Sequence, residues 1–268
     1  MRLAVVAVIS VLGVFGGPTT AAAQDAYELR MDPLLVAAVD VPLVAGLVTV
    51  ILVPDSPAAC SWCEQPGVDL AISDAIGLDR GRSAVAAISD VGLYGAWVGG
   101  LSLAFAGGYL GLGGGGRSLA RGGEDLFIVA EAAVATELVT LLVKRVVARE
   151  RPDRRAGLTL DSRSHESFFS GHASQTAALA ASASTLSYLR DYPFRTGVLA
   201  SGLAITATVG LLRIVARKHW ATDVVVGWIV GGALGVVLPL LLHPRLEPEA
   251  GPPPHPGAQP VSVPLVAF

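Results

Sequence analysis

Long apolar stretches, separated by short polar segments, dominate the chain. Small residues fill two of these stretches, the fourth and the fifth, and small residues let membrane helices pack closely. Each stretch is long enough, or nearly so, to cross about 30 Å of hydrocarbon as an α-helix of about 20 residues. The stretches lie at 34–53, 84–107, 126–147, 173–189, 197–215 and 222–242. The pattern predicts an all-α fold, a bundle of six transmembrane helices.

The two ends of the chain depart from this pattern. Residues 1–23 read as a signal peptide, with a charged start, an apolar stretch and an Ala-x-Ala cleavage site; an uncleaved anchor is the alternative. Residues 244–268 are Pro-rich and are predicted to be disordered. The predicted membrane domain therefore covers residues 24–243.

The composition agrees with a membrane protein. Hydrophobic residues make up 52% of the chain and charged residues 15%, whereas soluble domains carry about 25% charge. The net charge of −3 argues against nucleic acid as a partner. Seven basic residues nevertheless lie between Lys144 and Arg163, which indicates a local cationic site.

Two smaller features complete the picture outside that site. Cys60 and Cys63 are the two cysteines, and export would allow a disulfide between them.

Four acids lie inside apolar stretches, where they are costly and often functional, or else face the interior as hydrogen-bonded groups. They are Asp40, Asp90, Glu131 and Glu137. Of these, Glu131 and Glu137 are the expected functional pair, because their helix leads to Lys144.

Three polar segments, at 144–152, 169–172 and 213–223, carry the candidate chemistry. They lie at the end of the third stretch, at the start of the fourth, and between the fifth and sixth. Because a pair of helices returns the chain to the same side of a membrane, we expect all three segments to meet at one membrane face.

The residue types in these segments suit phosphoryl transfer. Lys144, Arg151 and Arg213 supply positive charge for a phosphoryl group, and catalysis of its transfer is largely positioning and electrostatic stabilisation. Ser170 and Gly171 open a helix, where backbone N–H groups and the helix dipole bind anions. The segments therefore predict a phosphate site.

Two histidines and one carboxylate supply the catalytic groups. His219 and Asp223 are four residues apart and share a helix face, so Asp223 is predicted to hold Nδ1–H and leave Nε2 free to attack phosphorus. His172 is predicted to protonate the leaving oxygen. The expected mechanism is a phosphohistidine intermediate that water hydrolyses. No metal site is predicted, because no ligand cluster remains beyond these residues.

These segments resemble the three signature motifs of the type 2 phosphatidic acid phosphatase superfamily, which also holds bacterial acid phosphatases and vanadium haloperoxidases. The motif K-x6-R-P is matched by Lys144, Arg151 and Pro152; P-S-G-H by Ser170, Gly171 and His172; S-R-x5-H-x3-D by Arg213, His219 and Asp223. Phe169 replaces the proline of the second motif, and Leu212 the serine of the third. Neither departure removes an essential charge.

The resemblance implies a role for each matched residue. His219 is the implied nucleophile, His172 the general acid and Asp223 the orienting acid. Phosphate binding falls to Lys144, Arg151, Ser170, Gly171 and Arg213. The implied protein is an integral-membrane, metal-independent phosphatase without a cofactor, acting on a lipid phosphomonoester or pyrophosphate in the bilayer. A lipid phosphotransferase using the same histidine, or a non-catalytic membrane protein with a vestigial phosphate site, are the alternatives.

The sequence supports two orientations of the site relative to the membrane. We expect a bacterial-type inner membrane with the site facing the periplasm or exterior, as the resemblance implies. A cleaved signal followed by six spans would instead place the site on the cytoplasmic face. The oligomeric state and the particular lipid stay open.

Overall fold

A computed structural model describes residues 28–53, 59–111, 115–159 and 164–246. The predicted signal peptide and all but the first three residues of the predicted tail lie outside these ranges. The described chain forms eight helices: α1 (Pro33–Leu52), α2 (Gly67–Ile76), α3 (Arg82–Leu110), α4 (Gly116–Val147), α5 (Pro152–Arg155), α6 (Gly171–Leu189), α7 (Arg195–Val215) and α8 (Ala221–Leu242). Two isolated bridges are the nearest approach to a β-strand in these ranges, so the all-α prediction is confirmed there.

Six of the helices coincide with the six predicted stretches, and five of them are long and apolar enough to cross a membrane: α1, α3, α4, α7 and α8. The chain is therefore an integral membrane protein. The prediction of six spans is not confirmed, because α6 does not reach that hydropathy. Helix α6 packs against α3, α4, α7 and α8, and 12 of its 19 residues are buried. A helix enclosed by protein needs less apolar surface than one facing lipid, which explains its many Ser and Thr residues.

Close packing of α8 on α6 sets the arrangement at the centre of the bundle. Gly227, Gly231 and Gly235 stand one turn apart on α8 and lie directly against the backbone of α6. A Cβ atom at any of the three would overlap atoms of α6, most severely at Gly231 against Ser174. Small residues in this spacing let two membrane helices approach closely. The starts of α6 and α8 are thereby held side by side.

Hydrogen bonds fix where these two helices begin. The Ser170 hydroxyl accepts a bond of 3.4 Å from the N–H of Ala173, and the Asp223 carboxylate accepts one of 2.9 Å from the N–H of Trp220. Both side chains satisfy donors that the first turn of a helix leaves without partners. In addition, the Ser170 N–H donates to the Asp223 carbonyl at 3.0 Å, which ties the two starts together.

The described ends of the chain meet at the opposite end of the bundle. The Arg30 N–H donates to the Pro244 carbonyl, and the Leu246 N–H donates to the Glu28 carbonyl, each at 2.9 Å. Helix α8 has 22 residues and so carries the chain about 33 Å from its start to this clasp. Residues 28–30 and 244–246 therefore lie on the face away from the start of α8.

Candidate active site

The three polar segments meet at one end of the bundle, as predicted. Helix α4 ends there with Lys144 in its last turn, α6 begins with Ser170 and Gly171, and the turn from α7 to α8 holds His219. An added Cβ at Gly171 would lie 3.6 Å from the Lys144 ammonium nitrogen. The missing side chain of Gly171 thus keeps open the space that Lys144 faces.

Buried positive charge surrounds His219. The side chains of Arg151 and Arg213 are almost fully buried, and His219 is 2% exposed. Burial in the first place, and then the charges of Arg213, Arg151 and Lys144, lower the pKa of His219 well below its ordinary 6.5. The imidazole is therefore neutral near pH 7, which a nucleophile requires.

The hydrogen bond that orients His219 is made to a backbone carbonyl group. Its Nδ1 lies 2.8 Å from the Ser167 carbonyl oxygen and 3.7 Å from Asp223 Oδ2. The structure thus differs from the predicted direct bond between Asp223 and Nδ1–H. Because a carbonyl oxygen can only accept, Nδ1 carries the hydrogen and Nε2 keeps its lone pair. Nε2 is thus left free, as predicted, but the group that holds Nδ1–H is the Ser167 carbonyl and not Asp223.

Asp223 acts on His219 through Ser167. The fully buried carboxylate of Asp223 accepts a hydrogen bond of 2.5 Å from the Ser167 hydroxyl, and the carbonyl of the same serine holds the histidine ring. Ser167 is not among the residues that the sequence predicts for the site. No sequence signal marks it for this task, since any residue can offer a backbone carbonyl.

A buried arginine completes the support behind Asp223. The guanidinium of Arg149 is fully buried and donates 2.5 Å and 2.6 Å bonds to Asp223 and Asp69. It also donates to the Thr222 hydroxyl at 2.8 Å and to the Gln65 amide oxygen at 2.7 Å. Two carboxylates, from α2 and α8, thus share one cation, and charge pairing of this kind is what lets ionised groups stay buried.

The loop between α1 and α2 covers this arginine. The Arg149 guanidinium carbon lies 4.1 Å from the centroid of the Trp62 ring, close enough for a cation–π contact. Trp62 lies between Cys60 and Cys63, which form the predicted local disulfide. The disulfide loop therefore belongs to the same end of the bundle as the site.

Asp90, one of the four acids inside apolar stretches, contacts two residues of the site. Its Oδ1 atom lies 2.7 Å from His172 Nε2 and 3.0 Å from Arg213 Nη1. Glu137 accepts a hydrogen bond from Gln175 and interacts electrostatically with Lys144, whereas Glu131 bonds to His243 at the other end of the bundle. Of the expected functional pair, Glu131 therefore lies away from the site, and a functional role for Glu137 stays a prediction.

No group of three or more His, Cys, Asp or Glu side chains placed to hold a metal ion occurs within the described ranges. The cations of the site are its own lysine and arginines. These are the groups that the structure offers to an anionic ligand.

Part of the chain matches one protein family. Residues 125–247 match the model of the PAP2 superfamily, and this segment contains all eight residues predicted for the site. Among solved structures, the chain is similar to a transmembrane PAP2-type phosphatidylglycerolphosphate phosphatase from Bacillus subtilis, at 20% identity and a TM-score of 0.42. That similarity covers 72% of this chain and 94% of the other. No curated protein sequence matches.

Proposed function

We propose that this protein is an integral-membrane phosphatase acting on a lipid phosphomonoester or pyrophosphate, as the match of residues 125–247 to the PAP2 superfamily model supports. The observation that carries the proposal is His219, a neutral histidine with its Nδ1–H bound to a carbonyl and three cations around it. Nucleophile and charge stabilisation are the two requirements of metal-free phosphoryl transfer.

The proposed first step transfers the phosphoryl group to His219. The lone pair of Nε2 attacks phosphorus, an N–P bond forms and the ester P–O bond breaks. Lys144, Arg151 and Arg213, with the N–H groups at Ser170 and Gly171, bind the phosphoryl oxygens as charge builds on them. His172 gives its proton to the leaving oxygen, which departs as an alcohol or, from a pyrophosphate, as a phosphate.

The proposed second step returns the enzyme to its starting state. His172, now neutral, removes a proton from a water molecule that attacks phosphorus. The O–P bond forms, the N–P bond breaks and inorganic phosphate leaves. Nε2 regains its lone pair, while the bond from Nδ1–H to the Ser167 carbonyl is kept throughout. Asp223 and Ser167 orient the ring in both steps.

Two features support a lipid substrate and an outward-facing site. The site lies at the end of helices that cross the membrane, where the headgroup of an amphipathic substrate would be. The Cys60–Cys63 disulfide belongs to the same end, and disulfides persist in oxidising compartments. An outward-facing site in a bacterial-type inner membrane puts residues 28–30 on the cytoplasmic side. It therefore favours an attached amino-terminal element over a cleaved signal at 1–23.

Phosphate release from lipid phosphates tests the proposal directly. We expect the detergent-purified protein to release phosphate from at least one of phosphatidic acid, phosphatidylglycerophosphate, undecaprenyl pyrophosphate and phosphorylated lipid A, equally well with and without a chelator. Abolition by the chelator would contradict the metal-independent mechanism. Phosphoryl transfer only after an acceptor lipid or sugar is added would support the phosphotransferase instead.

The acid side of the pH profile tests the state of His219. Protonation of Nε2 removes the attacking lone pair, so kcat/KM falls as pH drops through the pKa of His219. Because that pKa is lowered well below 6.5, activity should persist well below pH 6.5. In Arg151→Gln, one of the lowering charges is gone, and the midpoint of this fall should move to higher pH. A midpoint at or above 6.5 in the unaltered protein would contradict the neutral nucleophile.

A further inference from the structure

Asp90 lies outside the segment that matches the family model and outside the three signature motifs. It is on α3, 35 residues before the start of the matched segment 125–247, and in none of the three polar segments. Its side chain is 47% exposed, so it borders the open side of the site. Nothing in the motifs assigns it a task.

The contacts of Asp90 are with two groups of the proposed catalytic machinery. One carboxylate oxygen, Oδ1, lies 2.7 Å from His172 Nε2 and 3.0 Å from Arg213 Nη1. A bond at 2.7 Å is typical of a pair in which one partner is charged. Because Oδ1 has no hydrogen when the acid is ionised, the hydrogen between it and the imidazole lies on Nε2.

The two partners of Asp90 depend on it to different degrees. Arg213 Nη1 also donates to the Ser89 hydroxyl at 3.0 Å, and Ser89 is fully buried and bonded to the Ala86 carbonyl. Arg213 therefore keeps an anchor on α3 without the carboxylate. The Nε2–H group of His172, in contrast, donates its hydrogen bond to the Asp90 carboxylate.

We propose that Asp90 is the positioning residue of the general acid: its carboxylate holds Nε2–H of His172 so that Nδ1 carries the proton that passes to the leaving oxygen. This inference rests on the proposed phosphatase function and deepens it. The arrangement is that of a carboxylate-supported histidine, in which the acid sets the tautomer and favours the charged ring.

The proton balance follows from this arrangement. Burial and the charge of Arg213 favour the neutral ring of His172, and the Asp90 carboxylate acts in the opposite direction. In the proposed first step the ring acts as the imidazolium, with hydrogens on both nitrogens and the Asp90 carboxylate offsetting its charge. As the P–O bond breaks, the Nδ1–H bond breaks and the O–H bond of the leaving alcohol forms. His172 is then neutral, with Nε2–H still bound to Asp90. The Nδ1 lone pair next takes a proton from the attacking water, which restores the imidazolium.

The leaving group provides a sharp test. An alkyl phosphate such as phosphatidic acid releases a strongly basic oxygen that needs the proton, whereas p-nitrophenyl phosphate releases a weakly basic one that does not. General acids contribute about 10² to 10⁴-fold, so Asp90→Asn should reduce kcat/KM on the alkyl ester by about 10- to 100-fold. The same variant should retain kcat/KM on the aryl ester to within about threefold, because kcat/KM reports the first step, in which the aryl leaving oxygen needs no proton.

A pH profile and a matched control accompany that comparison. Activity on the alkyl ester falls as pH rises through the pKa of the general acid, and removal of the carboxylate should move this fall to lower pH. Asp74→Asn removes an exposed carboxylate on α2, 81% exposed, and should change neither substrate. In a His172→Ala background, Asp90→Asn should cause no further loss on the alkyl ester.

Three outcomes would overturn the inference. Equal losses on both esters would mean that Asp90 supports the fold of the site, and unchanged activity on both would mean that it positions nothing. Nitrogen-15 chemical shifts of His172 in the purified protein give a readout that needs no turnover: a hydrogen found on Nδ1 alone would exclude the proposed tautomer. If the unaltered protein hydrolyses neither ester while its His172 shows a hydrogen on Nε2, that result would contradict the proposed function but not the hydrogen bond between Asp90 and His172.

Discussion

Replacing His219 by alanine is expected to abolish phosphate release, with a loss of at least about 10⁴-fold, as removal of a covalent nucleophile does in other enzymes. The reason is geometric. The Ser167 carbonyl holds Nδ1–H and leaves the lone pair on Nε2, and the cations that bind the phosphoryl oxygens surround this ring. Without the ring there is no acceptor for the phosphoryl group. The measurement is phosphate release under saturating lipid phosphate.

The phosphoenzyme distinguishes loss of the nucleophile from loss of the fold. With ³²P-labelled substrate and an alkaline quench, the unaltered protein should retain label on histidine, and His219→Ala should retain none. Lys218→Gln is the matched control, because its ammonium bonds to Asp153 at 2.8 Å and not to His219. Label retained in His219→Ala would place the nucleophile elsewhere.

Replacing Arg149 by methionine is expected to weaken the whole site end of the bundle. The change leaves Asp69 and Asp223 buried without their shared cation, and breaking a buried pair in this way costs about 3 to 5 kcal/mol of unfolding free energy. Activity should fall as well, because Asp223 holds Ser167 and Ser167 holds the nucleophile. Thermal unfolding in detergent and phosphate release measure the two effects.

The loss of stability in Arg149→Met can be checked by also removing one of the two carboxylates that this change leaves without a cation. Asp69→Asn added to Arg149→Met should restore part of the lost stability, since it removes one uncompensated buried carboxylate. Arg145→Met is the matched control: this arginine lies in the last turn of α4, four residues before Arg149, but donates to the carbonyls of Val50 and Val53 at the end of α1. Equal stability of the two methionine variants would contradict the role given to Arg149.

The sequence was most informative where chemistry is local. Residues 169–172 and 213–223 each carry their reactive groups close together in the chain, and the two apolar stretches between these segments predicted a shared membrane face for them. The long apolar stretches likewise predicted six helices, five of them within three residues of the observed bounds and α4 ten residues short at its start. The sixth span is not confirmed, because α6 is enclosed by its neighbours and is less apolar than the five candidate spans.

The contacts that the sequence did not show join residues that are far apart in the chain. Asp90 meets His172 across 82 residues, and Arg149 meets Asp69 across 80. Neither pair has a spacing that a helix or a turn would reveal, so packing alone brings each together. The contact between Ser167 and His219 was not predicted for another reason. Ser167 contributes its carbonyl oxygen, a group that every residue has.

The clasp between residues 28–30 and 244–246 has a practical consequence. Because this clasp lies about 33 Å from the start of α8, a peptide tether attached beyond residue 246 leaves the bundle on the face away from His219. Protein captured on a surface or on a nanodisc bead through such a tether presents its catalytic face to the surrounding solution. Substrate then reaches the site without passing the support.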